Sequence, residues 1–122
     1  MENILVVDDE DAIRQLVKTV LEKAGYVVME ASNGKEASQL LDHLVPDLLI
    51  TDLFMPEKEG IELIQEVRRR HPKMPIIAIS GAQAGQSELY LKMARSLGAD
   101  YILAKPFPLS TLFQTVKQAL GT

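Results

Sequence analysis

The chain has 122 residues, 47% hydrophobic and 25% charged, with a formal net charge of -4 and no cysteine. That length holds one compact domain with a real core, and the composition excludes a disordered or fibrous chain. It also excludes a disulfide framework and a zinc-thiolate site, while the acid excess leaves no basic footprint for direct nucleic-acid binding.

Asn3-Ile-Leu-Val-Val-Asp8 is a continuous apolar run ending in acids. Such non-alternating runs predict a central parallel strand covered on both faces. Ile13, Leu16, Val17, Val20, Leu21 and Ala24 then recur at three- and four-residue steps, predicting a helix that stops at Gly25. Tyr26 to Met29 predicts a second strand, and Ser32-Asn-Gly34 opens a helix striped by Ala37, Leu40, Leu41 and Leu44, stopped before Pro46. Asp47 to Asp52 repeats the strand ending in an acid. A loop from Pro56 to Gly60 and a helix marked by Ile61, Ile64 and Val67 follow, and Pro72 closes that helix. Pro75 to Ser80 is the fourth strand, and after a loop from Gly81 to Gly85, Leu89, Met93 and Leu97 lie along the fourth helix. Asp100 to Ala104 is the fifth strand, and Leu109, Leu112, Val116 and Leu120 stripe the last helix.

Five strands alternating with five helices predict an α/β three-layer sandwich with a parallel sheet. The flavodoxin-like (βα)5 arrangement, strand order 2-1-3-4-5, places a crevice beyond the carboxyl ends of strands one and three. The apolar runs are too short to span a bilayer, so no membrane association is expected and the chain is expected to be cytoplasmic.

Strand one ends in Asp8-Asp9, strand three in Asp52 and strand four in Ser80, and Lys105 follows strand five. Carboxylates about 4 Å apart repel by roughly 4 kcal/mol at an effective dielectric of 20, so a cluster of three calls for a counter-ion or protonation. Oxygen-only donors without cysteine or a nearby histidine favour Mg2+, with Mn2+ possible, over zinc. Beside a metal, an aspartate can act as a nucleophile toward phosphorus. Lys105 can neutralise phosphoryl oxygens, and Ser80 can hydrogen-bond one that exists only after transfer. Each residue alone also has a plain structural reading. Asp8 and Asp9 can cap the first helix, Asp52 and Ser80 can open turns, and Lys105 can be a solvated surface charge. His43 and His71 sit near predicted helix ends and receive no chemistry. Gly81 to Gly85 lacks the lysine and hydroxyl of a phosphate-binding glycine loop.

Ile4-Leu-Val-Val-Asp-Asp9, Asp52-Leu-Phe-Met-Pro56 with Gly60, Ser80-Gly-Ala82, and Gly98-Ala-Asp100 leading to Lys105-Pro-Phe107 together resemble the receiver domains of two-component response regulators. The resemblance covers essentially all of residues 1–122. It implies that Asp52 accepts a phosphoryl group from a phosphohistidine on a sensor histidine kinase or phosphotransfer protein. Asp9, Asp52 and the main-chain carbonyl of Phe54 would bind Mg2+ directly, and Asp8 through water. Ser80 would be the switch hydroxyl, Lys105 the cation that pairs with the phosphoryl group, and Lys105-Pro106 a cis peptide. The output would be a changed surface read by a downstream effector domain or protein, from a monomer or a phosphorylation-dependent dimer. Such a domain is not an enzyme beyond taking phosphoryl groups from small donors and losing its own.

Two features depart from that pattern. The position that often carries an aromatic switch is Ile102, whereas Tyr101 lies one step earlier, on the opposite face of the strand. The stretch between Ser80 and Gly98 is also a few residues longer than usual. Two other readings stand beside the switch: an aspartyl-phosphate phosphatase of the haloacid dehalogenase type, and a pseudo-receiver that docks partners without phosphorylation.

Overall fold

The computed structural model describes residues 2–53, 60–80 and 87–121, apart from the side chains of 87, 88, 90 and 91. Five strands, β1 (Asn3–Val7), β2 (Val27–Ala31), β3 (Leu48–Asp52), β4 (Ile76–Ser80) and β5 (Tyr101–Ala104), alternate with five helices. The helices are α1 (Asp11–Lys23), α2 (Gly34–Leu41), α3 (Gly60–Arg70), α4 (Ser87–Leu97) and α5 (Leu109–Leu120). The strands form one parallel sheet in the order β2-β1-β3-β4-β5, as the alternation of elements predicts.

Successive residues of a strand point to opposite faces, and here both faces are apolar. From β1, Leu5 and Val7 pack with Leu49, Ile76 and Ala78 under α2, α3 and α4, through Leu41, Leu63, Ile64, Val67 and Ala94. Ile4 and Val6 pack with Leu48, Ile50, Ile77, Ile79 and Leu103 under α1 and α5, through Val17, Leu21, Leu112 and Val116. Each such Leu, Ile or Val withdrawn from water contributes roughly 1.5–3 kcal/mol, so the centre of the sheet anchors the strand ends.

Element ends depart from the sequence reading where local chemistry differs from the apolar stripe. β2 runs on to Ala31 because Glu30, a poor strand residue in isolation, is paired with Arg14 and Lys18. α2 ends at Leu41, short of Leu44, because the N–H groups of Asp42 and His43 bond three residues back, to the carbonyls of Gln39 and Leu40, and tighten the last turn. α1 ends at Lys23, and Gly25 takes the left-handed φ of 98° that lets the chain turn into β2. On α4 the stripe is not the buried face. Leu89 and Met93 are exposed while Ala94 is fully buried.

Candidate functional site

Strand register brings the candidate residues together. Val7 pairs with Thr51, so Asp8 and Asp52 leave neighbouring strands at the same level. Asp52 pairs with Ile79, and Ser80 pairs with Ala104. The N–H of Lys105 then donates to the carbonyl of Ser80 at 2.8 Å, which starts the lysine beside the end of β4. Gly60 makes the close approach of α3 possible. A Cβ there would lie 1.9 Å from the carbonyl oxygen of Asp52, and only hydrogen fits.

Lys105 Nζ lies 3.0 Å from Asp8 Oδ2, 2.9 Å from Glu10 Oε1 and 3.2 Å from Asp52 Oδ2. Its side chain is 10% exposed, and those of Asp8 and Asp52 are 2% and 6% exposed, so water screens these charges little. Burial pushes the ammonium down from its ordinary pKa. Close contacts with the carboxylates of Glu10 and Asp8, and the charges of Asp52 and Asp8, outweigh that and hold it raised. Among the described residues, one ammonium faces three carboxylates in this bowl. Asp8 Oδ1 accepts the N–H of Glu10 at 2.9 Å, and the buried Oδ2 faces the Lys105 ammonium.

One carboxylate oxygen from each of Asp8, Glu10 and Asp52 lies within 4.8 Å of the others. A cluster of carboxylate oxygens from three acids, two of them buried, fits a hard divalent ion such as Mg2+. Asp9 is exposed and stands outside this set of three. Ser80 is fully buried at the end of β4. Tyr101 packs on the α1 and α5 face, whereas Ile102, half-buried and paired with Ala78, lies on the other. The Lys105-Pro106 peptide is cis. Phe54, the loop after it and residues 81–86 of the stretch between Ser80 and Gly98 lie outside the described residues.

Sequence reasoning missed Glu10 and Arg14. Glu10 was legible as the third acid of the Asp8-Asp9-Glu10 run; it is the N-cap residue of α1, yet its carboxylate turns to Lys105 rather than capping the helix. Arg14 gave no signal in one dimension, since its acceptors come from the residue after β1, from β2 and from α1. Between α1 and the chain after β5, a groove of about 470 Å³ opens beside the site, lined by Ile13, Leu16, Phe107 and Leu109 with Glu10 and Lys105 at its rim. Leu16, expected in the core, is exposed there.

The family model described as the response regulator receiver domain matches residues 4–117. The chain belongs to the response regulator receiver family. It is 41% identical over 107 residues to the transcriptional regulatory protein CpxR of Klebsiella pneumoniae, covering 88% of this chain and 44% of that protein. To the sensor kinase CckA of Brucella abortus it is 38% identical over 122 residues, covering 96% of this chain and 12% of that protein. The chain thus spans less than half the length of these curated relatives. Among solved structures, a putative response regulator from Chloroflexus aurantiacus superposes with a TM-score of 0.91 at 32% identity, covering 99% of this chain and 98% of that one. The five-stranded order and acidic crevice are therefore those of a receiver domain, a signalling module of two-component systems. Among the described residues, no helix is long and apolar enough to cross a membrane.

Proposed function

We propose that this receiver domain, taken as residues 1–122, accepts a phosphoryl group on Asp52 from the phosphohistidine of a sensor histidine kinase or phosphotransfer protein in the cytoplasm. The observation that carries this reading is the contact of Lys105 Nζ with both Asp52 and Asp8, in a bowl where Asp8, Glu10 and Asp52 bring carboxylate oxygens together. A carboxylate oxygen of Asp52 attacks phosphorus as the phosphorus-nitrogen bond breaks, and the bonding electron pair leaves on the imidazole. Asp9, Asp52 and the carbonyl of Phe54 are the proposed direct ligands of Mg2+, with Asp8 linked through water. A bound Mg2+ supplies positive charge to the oxygens in transfer.

Lys105 holds its proton and offers a cation to the new phosphoryl oxygens, and Ser80 offers a hydroxyl. A group carrying about two negative charges then favours one arrangement of these side chains over another. A preference of about 5.5 kcal/mol carries such a switch from 1:99 to 99:1, within reach of a few charge-assisted hydrogen bonds. The changed surface regulates a downstream effector domain or protein. The groove beside Lys105 gives a partner apolar surface next to the acceptor. The phosphatase reading fits less well, since its nucleophile ends the first strand and Asp52 ends the third.

The test is labelling with acetyl phosphate, in wild type and Asp52→Asn, with and without Mg2+. Expected is one phosphoryl group per chain, dependent on Mg2+ and absent from the variant. Labelling that survives in Asp52→Asn, or steady turnover of many phosphoesters, would refute the assignment.

A further inference from the structure

Arg14 lies on the second turn of α1, its N–H donating to the carbonyl of Glu10 at 3.0 Å, yet its side chain is only 11% exposed. Its guanidinium reaches three elements. Nη1 donates to the main-chain carbonyl of Asp8 at 2.8 Å, Nε to Glu30 Oε1 on β2 at 2.9 Å, and Nη2 to the carboxylate of Asp11. Glu30 is held in turn by Lys18 at 2.9 Å and Gln15 at 3.2 Å. Both peptides flanking the Asp8 Cα are therefore held, since its N–H donates to the carbonyl of Ala31 at 3.2 Å.

Asp8's carbonyl belongs to the peptide that joins it to Asp9. Fixing that oxygen sets the directions in which both acids leave the end of β1. Mg2+ demands near-ideal octahedral geometry, so affinity falls when a donor-bearing loop loses its direction. A fork of donors at fixed angles can hold an oxygen from each of three elements at once, and lysine, a point charge, cannot.

We propose that Arg14 is a positioning residue for the divalent metal, acting through the Asp8 carbonyl and touching neither the ion nor the phosphoryl group. The inference rests on the metal-dependent reading of the site given above. A residue that merely fastened α1 to β2 would alter the unfolding free energy and leave the ion affinity of folded molecules untouched. Ion affinity per folded molecule therefore separates the two roles.

The probe is Mn2+ alone, its free concentration read by electron paramagnetic resonance in titrations of the full chain. Wild type is compared with Arg14→Lys, Arg14→Gln and Glu30→Gln, and urea unfolding without divalent ions gives the folded fraction of each. Arg14→Lys and Arg14→Gln are expected to weaken Mn2+ binding about ten-fold, the lower end for residues that orient metal ligands. Glu30→Gln, which frees the far side of the fork and spares the Asp8 contact, is expected to weaken it by about three-fold, below that range. Should the Arg14 variants not fold, Glu30→Gln carries the test alone. Wild-type affinity in every variant that folds would overturn the proposal. Failure of the metal reading itself looks different: wild type would take up no Mn2+, or Asp8→Asn would bind it as well as wild type.

Discussion

Two cations sit at opposite ends of the sheet and do opposite things. At the carboxyl ends, Lys105 faces three carboxylates among the described residues. At the amino ends of β4 and β5, Arg68 is satisfied by acceptors that are mostly neutral. Nη1 donates to the carbonyls of Pro72 and Met74, and Nη2 to the carbonyl of Gly98 at 2.6 Å and to Asp100 Oδ2 at 3.1 Å. Asp100 Oδ2 also takes the N–H of Ile76. The Arg68 cluster closes its own hydrogen bonds and stitches the α3–β4 and α4–β5 connections together. Among the described residues, the Lys105 cluster sets three carboxylates around one ammonium, which suits the binding of a cation. The difference teaches that the stabilising end and the chemical end can be told apart by charge balance alone.

Removing one charged partner at each end should accordingly move stability in opposite directions, and a substitution that breaks close packing should outweigh both. The largest effect is expected from Gly60→Ala, whose Cβ would strike the Asp52 carbonyl, a main-chain atom with little freedom to yield. A loss of about 3 kcal/mol, the upper end for overpacking, should appear in urea unfolding. Arg68→Ala strands the carbonyls it serves and should cost about 2 kcal/mol, while acetyl phosphate labelling of the folded protein stays at the wild-type level. A labelling defect there would erase the division between the two ends. Asp8→Asn removes one of three acids around one ammonium and should raise stability by about 1 kcal/mol in the absence of divalent ions, at the expense of ion binding. Destabilisation instead would mean that the Lys105 cluster is a structural lock like that of Arg68.

The smallest effect concerns acid. Hydrogen bonds from Arg14 and then Lys18 hold the Glu30 carboxyl below its ordinary pKa. A depressed folded-state value gives stability that is present above the unfolded value, about 4.3, and lost as pH falls through the folded one. Glu30→Gln should therefore show a shallower decline of urea midpoint than wild type as pH is lowered from about 4.3. Equal slopes would show that the Glu30 pairs are too exposed to count.

Most of the sheet was readable in one dimension because a strand buried on both faces must be apolar at every position, as Leu48 to Ile50 and Ile76 to Ile79 are. The same logic marked Asp52 and Ser80, since a polar residue that interrupts such a run marks where the strand ends. Lys105 could be placed only through the order of strands. Leu89 and Met93 show the limit of a periodic stripe, which tells that a helix forms but not which face the rest of the protein covers.

The amino-acid sequence alone determined the alternation of elements, the parallel sheet and the delivery of Asp8, Asp52, Ser80 and Lys105 to one end of it. These follow from burial and chain direction, which are local and repetitive. Only the tertiary structure decided that Glu10 turns to Lys105 while Asp9 faces solvent, that Arg14 ties α1 to β2 and to the end of β1, and that Arg68 ties two connections together. Those outcomes depend on the reach and angle of single side chains between elements distant in the chain, and no periodicity encodes them.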